Sequence, residues 1–309
     1  MAFLVPADLA RVDVTGSERV DYLQTVTSQH MTDARPGEVR GAMYLDAHGA
    51  PQAVFDVVVL PDLLALLTPI DLADEIVEVL GGRTFLTDAT FTRADDAAMH
   101  LRGDDADEVT AAAGLDVEPG AMARRDDGLL VVGREGGIDL VGEKTSVDDA
   151  AEALRDAGAT EGTDEDYEAW RVRAGVPAWG REIVAPHLPE ELGLLPTHVH
   201  LDKGCYPGQE AVARMWMLGR PRKRLAVVDI EGEGIEPGTT AGSGRSKATV
   251  TSVAPDGRHA LALVPGNATD GQRIDDEEQG IALQVRRLVG EGLPVPGHDP
   301  NMTRRRDTR

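Results

Sequence analysis

The spacing of hydrophobic and polar positions changes several times along the chain. In "TGSERVDYLQTV", Val20, Leu23 and Val26 recur at helical intervals, and Thr15 with Glu18 has capping-box spacing, so a helix is predicted. "GAMYLDAHGAPQAVFDVVVLP" reads as two strands about a turn at His48-Gly49, the second centred on residues 54–60. "DLADEIVEVLGG" places Leu72, Ile76, Val79 and Leu80 on one side of a short helix that Gly81 ends, and "TFLTDATFT" reads as a strand. Between Met99 and Gly158, strand-like "MHLRG" and the hairpin "LLVVGREGGIDLVG" mix with two glycine-closed helices, "DDADEVTAAAG" and "SVDDAAEALRDAG". "TDEDYEAWRVRAG" is a capped helix with Tyr167, Trp170 and Ala174 on one face. A stretch rich in Pro and Gly follows, expected to wander. After about Pro221 only short β-like runs and turn signals remain, which predicts a small β-barrel; "NMTRRRDTR" is expected to be a frayed tail. Strands mixed with helices predict an α+β fold.

Composition narrows the classes. The chain has 309 residues, room for two or three domains, with 41% hydrophobic and 28% charged residues. No apolar run reaches the roughly 18 residues needed to span a bilayer, and the start lacks a basic signal-peptide region. The expectation is a cytoplasmic protein with no membrane partner. The net charge is −23, and only Lys144, Lys203, Lys223 and Lys247 are lysines among 31 basic residues. An acidic, lysine-poor surface suits hydration in high salt, hence a halophilic cytoplasm; an acidic mesophile from a GC-rich genome fits the same numbers. The charge opposes direct nucleic-acid binding, which needs basic patches.

One cysteine excludes internal disulfides and a cysteine-rich cluster or zinc site within one chain. Cys205 lies in "LDKGCYPGQEAVARM", among glycines and charges. Lys203 and the N-terminus of a helix starting near Gly208 would both favour its thiolate, the reactive form. The alternative is an inert, half-buried thiol in a tight turn. Gln209 and Glu210 could face a cleft and bind a polar heterocycle, a carboxylate pairing with two ring N–H donors. Glu210 and Arg214 are also spaced for a surface ion pair. His198 and His200 would share one face of a strand and could join Cys205 and Glu210 around a metal, though solvated histidines fit as well. "GREGG" and "GSGRSK" read as hairpin turns rather than phosphate loops.

The run "LLPTHVHLDKGCYPGQEAVARMWMLGRPRKRL" closely resembles the signature of the YgfZ-type folate-binding proteins, Lys-Gly-Cys-Tyr-x-Gly-Gln-Glu. Lys203, Gly204, Cys205, Tyr206, Gly208, Gln209 and Glu210 match every fixed position. That family lies in the superfamily of the glycine-cleavage T-protein, the aminomethyltransferase. Looser similarity covers most of the chain, through "DYLQTVTSQHMTDARPG", "YLDAHGAPQAVFDVVVL", "YEAWRVRAGVPAWGREI" and residues 221–295. The resemblance implies a T-protein-like three-domain ring around a tetrahydrofolate site. Its parts would be an N-terminal folate-binding domain at 1–98, a ferredoxin-like domain at 99–160, a return segment with the motif at 161–220, a C-terminal β-barrel at 221–297 and a tail at 298–309.

Three departures separate the chain from T-proteins. "WRVRAG" carries Arg173 where their motif has a pterin-recognising Glu. "LLTPIDLADE" lacks their Asn, leaving Asp71 and Asp74 without an assigned role. "LRG" at 101–103 stands where they have Gln-Gly-Pro. What the resemblance implies is therefore a tetrahydrofolate-binding accessory factor for iron–sulfur cluster proteins, tRNA-modifying enzymes included. Cys205 and Lys203 would be its working residues, and Tyr206, Gly208, Gln209, Glu210, Arg214 and Arg173 its cofactor contacts. Iron–sulfur clients would be its partners. A folate-dependent aminomethyl or other one-carbon transferase is the alternative, and a scaffold without folate binding a third.

Overall fold

A computed structural model describes residues 1–219 and 221–298. The expected tail "NMTRRRDTR" lies outside the described residues. The chain divides into two compact units, residues 1–42 with 53–167, and residues 43–52 with the chain from 168 onward.

The first unit opens with strands β1 (Phe3–Pro6) and β2 (Leu9–Thr15) and helix α1 (Arg19–Val26). Strands β3 (Val39–Leu45), β4 (Pro51–Val59) and β5 (Leu64–Pro69) follow, then α2 (Ala73–Val79) and β6 (Thr90–Arg93). Next come β7 (Ala97–Arg102), α3 (Ala106–Ala113), β8 (Met122–Arg124), β9 (Leu130–Arg134), β10 (Gly137–Gly142), α4 (Lys144–Asp156) and β11 (Thr160–Glu161). Two sheets result, ordered β3-β4-β5-β2-β6 and β11-β1-β7-β10-β9-β8. Val58, Ala65, Leu67, Leu130, Val132 and Val141 form one core cluster, drawing on strands from both sheets. β4 is buried along most of both faces, which explains its unbroken apolar run. On the second sheet, α4 seats Val147, Ala150, Ala151 and Leu154, the stripe that helical periodicity demands, beside α3. Gly114 ends α3 in the left-handed conformation, as the glycine signal predicted.

Helix α5 (Asp164–Ala174) leads into the second unit. Thr163 and Asp166 cap it reciprocally, the Thr163 N–H and hydroxyl donating to the Asp166 carboxylate at 2.9 and 2.8 Å. An irregular stretch holds only the short α6 (Leu195–His198) before α7 (Gln209–Leu218). Strands β12 (Lys223–Glu231), β13 (Thr240–Ala241), β14 (Ala248–Val253), β15 (His259–Pro265), β16 (Arg273–Asp276) and β17 (Ile281–Leu288) form one sheet ordered β13-β14-β15-β12-β17-β16. It is nearly a closed barrel. Gln279, just beyond β16, donates from Nε2 to the Thr240 carbonyl of the opposite edge at 3.0 Å. Alternate residues such as Ala226, Val228, Val250, Ala262, Leu283 and Val285 fill its interior. Val172 of α5 packs on the other face, against Leu225, Val227, Leu261 and Leu263.

Four expectations need correction. The Thr15–Glu18 box does not form: α1 starts at Arg19 without a side-chain cap, and Glu18 instead accepts the Asp88 N–H at 2.7 Å. A partner 70 residues away out-competes the local one. "TFLTDATFT" is strand only from Thr90, while Phe85 and Leu86 stand 92% exposed on a turn. The most buried side of α5 is Arg171 and Val172, not Tyr167, Trp170 and Ala174, because Arg171 finds buried partners. His198 ends α6 instead of lying on a strand, so the two histidines do not share a strand face.

Candidate functional site

The Cys205 loop is built by residues of the second unit. Burial alternates along it: Lys203, Tyr206 and Gly208 are buried, while Gly204, Cys205 and Pro207 are exposed. Gly204 has φ +93° with open space around it, so its role is the backbone turn. Gly208, at φ +81°, is the residue before α7, and its carbonyl accepts the Ala211 and Val212 N–H groups. A Cβ there would lie 2.5 Å from the Asp46 carbonyl oxygen and 2.9 Å from the Gly49 Cα. The loop end is thus locked against the β3–β4 hairpin tip, itself ordered by Asp46, whose Oδ1 accepts from the His48 and Ala50 N–H groups. On its entry side, Leu201 donates to the Pro296 carbonyl at 3.0 Å, and Gly297 has no room for a side chain against His200.

Lys203 is only 6% exposed, and its Nζ sits 5.0 Å from the centroid of the Tyr206 ring. Burial pushes the amine down to about 8 and the Tyr206 phenol up to about 12, so the ring stays neutral at ordinary pH. Beyond it, Gln209 is half-buried at the start of α7 and Glu210 is exposed in the first turn, where a carboxylate complements the helix dipole. Arg214 and Glu210 form the expected i,i+4 ion pair at 2.7 Å, with both side chains more than two-thirds exposed. Such a pair contributes about 0.5 kcal/mol and opens readily to a competing ligand. Arg173 is also exposed, 4.0 Å from Asp256.

The structure therefore brings Lys203, Cys205, Tyr206, Gly208, Gln209, Glu210 and Arg214 onto one loop and helix start, with Arg173 on α5. Asp71 and Asp74 lie in the first unit, both exposed, Asp74 paired with Arg93 at 2.8 Å. Among the described residues no group of three or more His, Cys, Asp and Glu could hold a metal ion, and no helix is long and apolar enough to cross a membrane.

Sequence reasoning missed two buried polar networks. In the second unit Arg171 donates to Glu182 at 3.1 Å, Ser252 at 2.8 Å and Glu168 at 2.7 Å, while Ser252 donates to Glu182 at 2.6 Å. This ties α5 to β14. In the first unit His100 and Arg102 both bind Asp139, whose second oxygen accepts from Arg134 at 2.6 Å; Arg134 also reaches Asp56 at 2.6 Å. Tyr167 stacks on His100 at 4.7 Å. A cleft of about 180 Å³, lined by Trp216, Leu195, Pro196, Arg224, Glu291 and Leu293 among others, was also unforeseen; no residue of the 203–210 loop lines it.

No protein-family model matches the chain. Its structure matches the glycine cleavage system aminomethyltransferase T from Bartonella henselae with a TM-score of 0.80, over 95% of this chain and 87% of that one, at 18% identity. The chain shares that fold. A heterotetrameric sarcosine oxidase from Corynebacterium sp. U-96, in complex with pyrrole 2-carboxylate, matches 52% of this chain and 88% of that one at 16% identity. Its TM-score is 0.37, too low to carry an argument. At 18% identity the T-protein likeness establishes the architecture of the chain and leaves its chemistry to the residues.

Proposed function

We propose that the chain is a tetrahydrofolate-binding accessory factor for the assembly or maintenance of iron–sulfur cluster proteins, including enzymes that modify tRNA. The observation that carries the reading is the exposed Cys205 thiol on the 203–210 loop of a chain with an aminomethyltransferase fold. The shared fold supports a folate-linked function in general. The three-domain ring and the domain limits given above are part of the same reading.

The donor set suits a folate by its chemistry. Glu210 supplies a carboxylate for paired pterin N–H groups, Gln209 an amide, and Arg173 and Arg214 exposed guanidinium groups of the kind that bind carboxylates. When bound, the folate would supply its capacity to carry a one-carbon unit. Cys205 would act as a reactive thiol or a transient cluster ligand. Because a cluster needs several thiolates and the chain has one cysteine, the remaining ligands come from a client, a second copy or a small thiol.

Two measurements test the reading. Cys205→Ser in the host should lower the activities of cluster-dependent enzymes several-fold; unchanged activities, in a strain shown to need the parent protein, overturn it. Titration of tetrahydrofolate should change the fluorescence of Trp170, Trp179 and Trp216, and no binding would favour the scaffold reading. The match to an aminomethyltransferase favours a second reading, one-carbon transfer. The three departures from T-proteins, at Arg173, in "LLTPIDLADE" and at "LRG", together stand against it. Formation of methylene-tetrahydrofolate from tetrahydrofolate and N-methyl amines by the purified protein would establish that second reading.

A further inference from the structure

We propose that Tyr206 is a positioning residue: its ring face seats the Lys203 ammonium and so fixes the turn that displays the Cys205 thiol. The inference rests on Cys205 being the working thiol, and its test reads that thiol with neither folate nor client present.

A lysine that is 6% exposed is uncommon. Its Nζ lies 5.0 Å from the Tyr206 ring centroid, inside the roughly 6 Å range of cation–π attraction. The two residues are three apart and both turn inward, while Gly204 and Cys205 between them turn outward. The positive φ of Gly204 permits this reversal, and the space around it is open, so packing does not impose it. The loop is thus closed underneath by a side-chain contact and held at its far end by Gly208 against the hairpin tip. Since the ring stays neutral and the amine is protonated below about 8, the contact is in force at neutral pH. Loss of the contact frees the turn from which the thiol projects, so the reactivity of Cys205 reports it.

The experiment uses the full chain at pH 7. Because Cys205 is its one thiol, the rate of alkylation by iodoacetamide reports that residue alone. Because the chain has four lysines, lysine-selective isotope labelling gives four side-chain signals, and Lys203 should show an upfield ring-current shift. Tyr206→Phe keeps the ring and should keep both the shift and the rate. Tyr206→Leu should erase the shift and slow alkylation about three- to tenfold, the scale of a lost cation–π contact. Lys203→Met should slow it at least as much, and the double variant no further than Lys203→Met, because Tyr206 acts through Lys203. A parental rate in Tyr206→Leu overturns the proposal, as do effects that multiply in the double variant or a Tyr206→Phe protein as slow as Tyr206→Leu. If Tyr206→Leu does not fold, the absence of an upfield lysine signal in the parent protein overturns it instead. Failure of tetrahydrofolate to bind would sink the proposed function and leave this result standing.

Discussion

Gly204 and Gly208 both have positive φ, yet only one faces backbone atoms where a side chain would go. Gly204→Ala meets open space and carries only the left-handed conformational cost, about 1 kcal/mol. Gly208→Ala adds contacts at 2.5 and 2.9 Å with the backbone of Asp46 and Gly49, which cannot rotate away as a side-chain tip can. Overpacking of this kind costs a further ~1–3 kcal/mol, so Gly208→Ala should lose roughly 2–4 kcal/mol in urea unfolding. Equal losses for the two variants would show that the hairpin tip does not brace the loop. His100 makes a second residue-scale case. Burial lowers its affinity for a proton, outweighing the pull of Asp139, so the folded state holds it neutral below the ordinary 6.5. The unfolded chain therefore binds the extra proton as pH falls below about 6.5, and stability falls with it. Between pH 7 and 5 the parent protein should lose stability more steeply than His100→Gln, which cannot titrate; parallel slopes would refute this.

At the scale of elements, α5 is attached to the barrel by an ion pair rather than by apolar contact alone. Glu182 is fully buried and accepts from Arg171, Ser252 and the Ala178 N–H. Glu182→Ala leaves Arg171 with Glu168 as its one carboxylate partner and takes the acceptor from the Ser252 hydroxyl and the Ala178 N–H, and should cost about 2–4 kcal/mol. Replacing both, Arg171→Met with Glu182→Leu, should cost less than the single change, as measured by denaturant midpoints; a larger loss would mean that the charges contribute net stability. This network also shows where the sequence is silent. The helix around Arg171 is legible because Thr163 and Asp166 cap it locally, and α4 because its apolar stripe repeats. The partner of Arg171 on β14 is 81 residues away, and no spacing rule connects them. The same distinction separates the hairpin about Gly49, evident from its turn, from the contact of that turn with Gly208, which is not. In the candidate site, the exposed Cys205 and the helix beginning at Gln209 could be anticipated. The burial of Lys203 beside Tyr206 could not, because a lysine in a polar, glycine-rich stretch ordinarily keeps its charged head in water.

For the whole molecule, the dominant electrostatic fact is an excess of acid: 54 acidic residues against 31 basic ones. Many arginines already have partners, such as Arg273 with Glu231 at 2.8 Å and Arg93 with Asp74 at 2.8 Å, but pairs this exposed to water are weak. The net charge of −23 is mutual repulsion that the folded state concentrates and the unfolded chain relaxes. Salt acts on both terms. Raising ionic strength from 0.1 to 1 M shortens the screening length from about 10 to about 3 Å, which removes repulsion between distant carboxylates while weakening ion pairs in contact much less. The repulsion should dominate the change, so the urea midpoint should rise between 0.1 and 1 M potassium chloride, a salt chosen over sulfate because sulfate stabilises folded proteins by exclusion from their surface. A midpoint that falls over the same range would mean that the arginine pairs outweigh the excess of carboxylates.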